Sequence, residues 1–218
     1  MPRSKAPRLG RPPASNAAET RQRIIATAAE MFAINGYGRT TNKDVALRAG
    51  ITTGALYYYF DSKLAMYLAV YWELAALVNE RLNSAMHEES TFSGKFRAIM
   101  EAVYQMNRED PSIARFLGTV RVDRMRHEEL RSAIPHSPGE GANLIAPMVD
   151  AGIEFGEIDP ERREVIEAVI RTIFVGLTDV SAQMADPQYH RRAIDGIEAL
   201  FAGDLVRHPR RTARRRAG

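Results

Sequence analysis

Apolar residues recur at helical spacing along most of the chain. Ile24, Ala28 and Phe32 stand four apart, flanked by Ile25 and Ala29, and predict a first helix from near Ala17. Asn35-Gly36 ends it, since both residues tolerate a left-handed cap. Thr41 and Asp44, three apart, form a new start signal. They predict a short helix over 41–48 with Val45 and Ala49 inward. Ala49-Gly50 breaks this helix, Thr52 caps a third through Tyr58 or Tyr59, and Asp61-Ser62 open a fourth at Lys63 that runs to about Met86. Further helices are predicted over about 92–108, 111–131, 140–154, 160–184 and 187–205, with proline or glycine at the breaks. Strand alternation and internal repeats are absent. The pattern predicts an all-α protein.

Composition changes this picture little. The 218 residues are 45% hydrophobic and 26% charged, enough for a sizeable core. Cysteine is absent, which excludes disulfides and thiolate metal sites. No apolar run reaches the roughly 18–20 residues of a membrane span, and the expected location is the cytoplasm. Charge changes it more. The net +3 divides into +4 over residues 1–16, +2 over 17–63, −9 over 64–206 and +6 over 207–218. A basic front on an acidic body suits a chain whose front alone meets a polyanion. Two solubilising tails on an acidic protein give the same arithmetic. The expected division is a basic arm (1–16), a small helical domain (17–64), a larger helical domain (65–206) and a basic tail (207–218), with disorder expected of the tail.

Two short helices across a glycine turn make a helix-turn-helix, whose second helix can enter a DNA major groove. In the stretch ITTGALYYYF, helical geometry separates the three tyrosines. Leu56, Tyr59 and Phe60 share one side, while Thr53 and Tyr57, and Gly54 and Tyr58, fall elsewhere. Tyr59 is therefore expected inward and Tyr57 and Tyr58 outward. Tyrosine and threonine hydroxyls are good phosphate ligands, and Gly54 lets another backbone or a base edge come close. Lys63 offers a positive charge just beyond. The competing role for Tyr57 and Tyr58 is packing on a neighbouring domain.

Residues 17–64 resemble the N-terminal DNA-binding domain of the TetR family of bacterial transcriptional regulators. The resemblance is carried by TRQRIIATAAEMFAINGYGRTTNKDVALRAG and ITTGALYYYFDSKLAMYL. Within them stand Phe32, the Gly-Tyr turn, Val45-Ala46, Ala49-Gly50-Ile51, Gly54, Leu56-Tyr57, Tyr59-Phe60 and Ser62-Lys63. It covers about a fifth of the chain. It implies that Thr41, Asn42 and Lys43 approach the backbone or a base edge. Thr52, Thr53 and Gly54 would begin the recognition helix, and Tyr57, Tyr58 and Lys63 would bind phosphates. The family often has Lys or Arg where this chain has Thr53, and His where it has Tyr58. The arm supplies compensating charge. Its Leu9-Gly10-Arg11-Pro12 resembles minor-groove hooks, so Arg8 and Arg11 are expected in a minor groove. The alternative is a solubilising arm.

The acidic body carries no motif of comparable strength. The resemblance implies that it dimerises and encloses a small-molecule effector. Ile166, Val169, Ile170, Ile173, Leu177 and Val180 form one apolar stripe, and Ile194, Ile197, Phe201 and Leu205 another. The expected homodimer interface comprises Ile173, Gly176, Val180, Ile194, Ile197 and Phe201. Core packing within one chain is the competing role. Candidate effector contacts are Met100, Tyr104, Phe116, Arg121, Met125, Met148, Phe174 and Thr178. Each also suits a plain core, and for Arg121 a salt bridge is the favoured role. The five histidines lack metal-ligand spacing, His127-Glu128-Glu129 reads as a solvated face, and no phosphate loop or nucleophile elbow is present. No enzyme activity, metal or cofactor is expected.

The expectation is a DNA-binding regulator, in the form of a repressor released from double-stranded operator DNA by an unidentified effector. Its alternatives are an effector-independent nucleoid-type binder and an activator with a protein partner.

Overall fold

The computed structural model describes residues 14–134, 144–183 and 187–203. Among them the regular structure is helical. The helices are α1 (Ala14–Arg39), α2 (Asn42–Arg48), α3 (Thr53–Tyr59), α4 (Lys63–His87), α5 (Phe92–Glu109), α6 (Pro111–Arg126), α7 (Glu128–Ala133), α8 (Ile145–Glu154), α9 (Arg163–Gln183) and α10 (Pro187–Ala202). A short 3-10 turn, Pro160–Arg162, precedes α9.

Most boundaries follow the caps. Thr52 accepts the amide of Ala55 at the start of α3, and Thr91 accepts that of Gly94 at the start of α5. The clearest departures from expectation are in α1 and α6. The helical run of α1 begins at Ala14 and continues to Arg39, although Gly36 (φ 74°) breaks it where Asn35-Gly36 was expected to end it. The expected helix over 111–131 is two helices, because His127 adopts extended backbone between α6 and α7.

The chain forms two compact units that do not follow the expected division at residue 64. Among the described residues, the first joins 14–79 to 112–134, and the second joins 80–111 to 144–183 and 187–203. The reason is burial. Phe116, Leu117, Val120, Leu130 and Ile134 of the α6–α7 region share a core with Ile24, Phe32, Val45, Leu56, Tyr67 and Val70. A boundary drawn along the sequence misses this return of the chain.

Within the second unit, α5 packs on α8 and α10, and α8 on α9. Glu157 accepts hydrogen bonds from the Phe92 and Ser93 amides at the start of α5. His190 is buried, its ring nitrogens 3.2 Å from Asn107 Nδ2 and 3.2 Å from Ser181 Oγ.

Candidate nucleic-acid interface

The turn between α2 and α3 is built by backbone hydrogen bonds. The Ile51 amide donates to the Ala46 carbonyl and the Gly50 amide to the Leu47 carbonyl. Gly50 stands at φ 70°, the left-handed conformation this cap requires. Arg23 of α1 donates to the Ala49 carbonyl at 3.1 Å, satisfying another carbonyl at the end of α2. Below the turn, Leu56 is 0% exposed, Phe60 is buried and Tyr59 is half-buried against the same core. Tyr57 and Tyr58 are 50% and 69% exposed. The division read from helical spacing holds: one ring faces in and two face out. Tyr58 also meets the Tyr59 ring edge-on at 5.2 Å, which steadies it on the outer face.

The remaining candidates differ in how free they are. Thr52, Gly54 and Lys43 are exposed, and Thr53 is half-buried. Thr41 is exposed and accepts the Asp44 amide, but its hydroxyl donates to the Asp44 carboxylate at 2.6 Å. Asn42 is half-buried, and its amide oxygen is buried without a hydrogen-bond partner. Lys63 is half-buried. Its ammonium donates to the Tyr37 carbonyl at 2.8 Å and lies 4.2 Å over the Tyr37 ring, so the charge is engaged inside the unit. Arg8 and Arg11 lie outside the described residues.

The spacing did not reveal a polar hub beneath this interface. Asp123 of α6 is 4% exposed and accepts hydrogen bonds from the Tyr37 amide at 2.8 Å and the Tyr67 hydroxyl at 3.1 Å. The His127 ring packs edge-on to Tyr37 at 5.1 Å, and Glu129 hydrogen-bonds the Tyr37 side chain. His127-Glu128-Glu129 is therefore only partly a solvated face, because two of the three residues hold Tyr37. Burial first, then the Glu129 hydrogen bond, pushes the Tyr37 phenol above its usual range. Burial and the Asp123 charge do the same to Tyr67. Gly36 is required here twice over: its φ is positive, and a Cβ would stand 3.1 Å from Asp123 Oδ1. The Gly-Tyr pair signalled a turn in the sequence, but Asp123, 86 residues away, was not legible as its partner.

The candidate effector contacts scatter. Met100 and Met148 are fully buried in the second unit, where Tyr104, Phe174 and Thr178 are half-buried. Phe116 is buried against Tyr67 in the first unit, and there Arg121 is half-buried and Met125 70% exposed. The second unit has an open cleft of about 720 Å³ whose walls include Phe92, Phe96, Phe201, Ile166, Arg97 and Glu198. None of the eight candidates lines it.

The expected dimer residues also divide. Ile194 is fully buried within its own unit, and Phe201 turns onto Phe92 and Phe96, with ring centroids 5.7 Å and 4.9 Å away. These two pack the chain itself. Ile173, Val180 and Ile197 are half-buried, and Gly176 is exposed. They border an exposed flank of α9 and α10. Val165, Val169, Thr172 and Gly176 are exposed along α9. Tyr189, Ala193, Gly196 and Leu200 make the matching row on α10, with Tyr189 and Leu200 exposed.

No helix among the described residues is long and apolar enough to cross a membrane.

Comparison with known proteins accords with this geometry. Residues 24–70 match the sequence profile of the bacterial regulatory proteins, tetR family. The chain is 27% identical over 135 residues to the fatty acid metabolism regulator protein of Bacillus subtilis (strain 168), covering 62% of this chain and 69% of that one. It is 44% identical over 62 residues to the HTH-type transcriptional regulator SrpR of Pseudomonas putida, covering 28% of this chain and only 29% of that one. The fold resembles that of the fatty acid degradation regulator FadR from Bacillus halodurans, with a TM-score of 0.68 and 19% identity over 87% of this chain and 97% of that chain. All three are named as regulators. With the helix-turn-helix seated on its own core and the profile matched across it, residues 24–70 resemble the helix-turn-helix domain of the tetR family of bacterial regulatory proteins.

Proposed function

We propose that the protein is a homodimeric transcriptional repressor that binds operator DNA through α3 and is released by a small-molecule effector bound in its second unit. The observation that carries the DNA-binding role is the outward pair Tyr57 and Tyr58 on a helix otherwise pinned by Leu56. Two adjacent exposed phenols on so short a helix suit phosphate contacts on either side of a groove. Lys43 adds an exposed charge at the start of α2, and Arg8 and Arg11 of the arm would supply more in the neighbouring minor groove.

Dimerisation is supported by the apolar flank of α9 and α10. A Cβ added at Gly176 or Gly196 would meet nothing within 4 Å, and both residues lie within helices without positive φ. Nothing among the described residues needs a glycine there, whereas close approach of a second copy would. A two-fold dimer would read half-sites one or more DNA turns apart. Effector and operator would oppose each other by equal free energies. A sequence relative and a structural neighbour are named for fatty acid metabolism and degradation, so fatty acyl compounds are the first effector class to test.

The test is titration of DNA from upstream of the protein's own gene by fluorescence anisotropy. Tyr57→Phe with Tyr58→Phe should weaken binding at least about tenfold, since a hydrogen bond to an ionised phosphate is worth more than the ~1 kcal/mol of a neutral one, and leave Tm within about 2–4 °C. Unchanged affinity removes the phosphate role, and a collapsed fold shows that the rings belong to the core.

A further inference from the structure

The outer face of α3 limits which bases this protein can read. The helix is TGALYYY, and among its seven residues none is Lys, Arg, Asn, Gln, Asp or Glu. Paired hydrogen bonds to guanine come from Arg or Lys, and those to adenine from Asn or Gln. Neither is available from α3 or from the turn Gly50-Ile51-Thr52 before it. Asn42, at the start of α2, has its amide oxygen buried, and the exposed ammonium beside it in sequence is Lys43. In this motif the first helix crosses the backbone rather than entering the groove.

What α3 does present is a hydroxyl and a methyl at Thr53, a bare backbone at Gly54 and the phenols of Tyr57 and Tyr58. Gly54 is the informative residue. It lies inside the helix without a positive φ, and a Cβ there would meet only Thr52 Oγ1, at an ordinary 3.9 Å. Gly36 and Gly50 are held by positive φ, but nothing among the described residues requires Gly54. Alanine would make a more stable helix. The open space therefore serves something outside the chain that comes closer than a methyl allows. In a major groove the apolar feature of a base edge is the 5-methyl group of thymine.

Resting on the DNA-binding reading above, we propose that α3 selects its half-site through thymine 5-methyl groups, packed against the Thr53 methyl in the space left at Gly54. Thr53 and Gly54 are then the specificity-determining residues, and Tyr57 and Tyr58 position the helix through phosphates.

The experiment selects bound duplexes from a random pool with the full-length protein. Each thymine of the selected half-site is then replaced by deoxyuridine, which removes the methyl and keeps the pairing and the O4 acceptor. At one or more positions affinity should fall about fourfold, the value of burying one methyl. Gly54→Ala should raise Tm while lowering affinity for the selected site at least tenfold. Selected sites indifferent to deoxyuridine at every thymine overturn the proposal, as does Gly54→Ala binding like the parent. If selection enriches no sequence, the regulator reading itself fails and this inference falls with it. Enrichment of a site without methyl dependence leaves that reading standing and removes only this one.

Discussion

Asp123→Ala should destabilise the first unit far more than a typical polar truncation. The carboxylate holds two donors from distant parts of the chain, the amide of Tyr37 and the hydroxyl of Tyr67. Tyr67 is 0% exposed and Tyr37 is buried, so water cannot replace the lost acceptor without opening the core. An orphaned buried donor costs about 1–3 kcal/mol, and two give about 2–6 kcal/mol. Tyr67→Phe removes one donor together with its need for a partner and should cost only about 1 kcal/mol. In the double variant one of the two orphans is gone, so the combined loss should fall short of the sum by about 1 kcal/mol or more. The assay is urea unfolding followed by the emission of Trp72, the one tryptophan. It reports on the right unit because its ring packs 4.7 Å from that of Tyr71, a residue of the first core. A loss below about 0.5 kcal/mol for Asp123→Ala, the scale of surface changes, refutes the reasoning. Strict additivity refutes the coupling between Asp123 and Tyr67.

Three further outcomes are expected. Tyr37 and Tyr67 both titrate higher in the folded state than the pH of about 10 typical of an unfolded tyrosine, so their contribution is full below that pH and is lost as pH rises past it. Unfolding midpoints between about pH 9 and 11 should fall, and Tyr67→Phe should flatten the fall. Gly176→Leu with Gly196→Leu should leave the helical circular dichroism and folding cooperativity of the monomer intact, because both positions open on empty space, while sedimentation velocity shows loss of the dimer. An unchanged dimer would place the interface elsewhere. Deleting residues 2–12, which carry Arg3, Lys5, Arg8 and Arg11, should lower operator affinity and reduce the slope of log affinity against log salt by about 2 if Arg8 and Arg11 each release one counterion. An unchanged slope would make the arm a solubilising segment.

Much of the DNA-binding module was legible because its signals are local. Thr41 and Thr52 cap, Gly50 turns, and a rotation of about 100° per residue separates Tyr59 from Tyr57 and Tyr58. All of these act within one or two helical turns, where neighbours in sequence are neighbours in space. The resemblance extended this reading to the family, whose profile covers the same segment.

Other features depended on chain segments far apart in sequence. Lys63 looked like a free charge until the fold laid it over Tyr37. The stripes on α9 and α10 were visible, but a helix of period 3.6 carries apolar residues on adjacent flanks, and spacing cannot say which flank its own unit consumes. The fold buries Ile170, Leu177 and Ile194 and leaves Val165, Val169 and Leu200 outside. For the same reason spacing could not show that α6 and α7 return to the first core.

By itself the sequence determined an all-α chain with a capped helix-turn-helix and the inward and outward faces of α3, because hydrogen bonding and side-chain direction in a helix repeat over a few residues. Only the tertiary structure decided that Asp123 closes the Gly36-Tyr37 turn, that Lys63 points home and that Gly54 stands in open space. Each of those depends on which distant surfaces meet, and local periodicity carries no information about that.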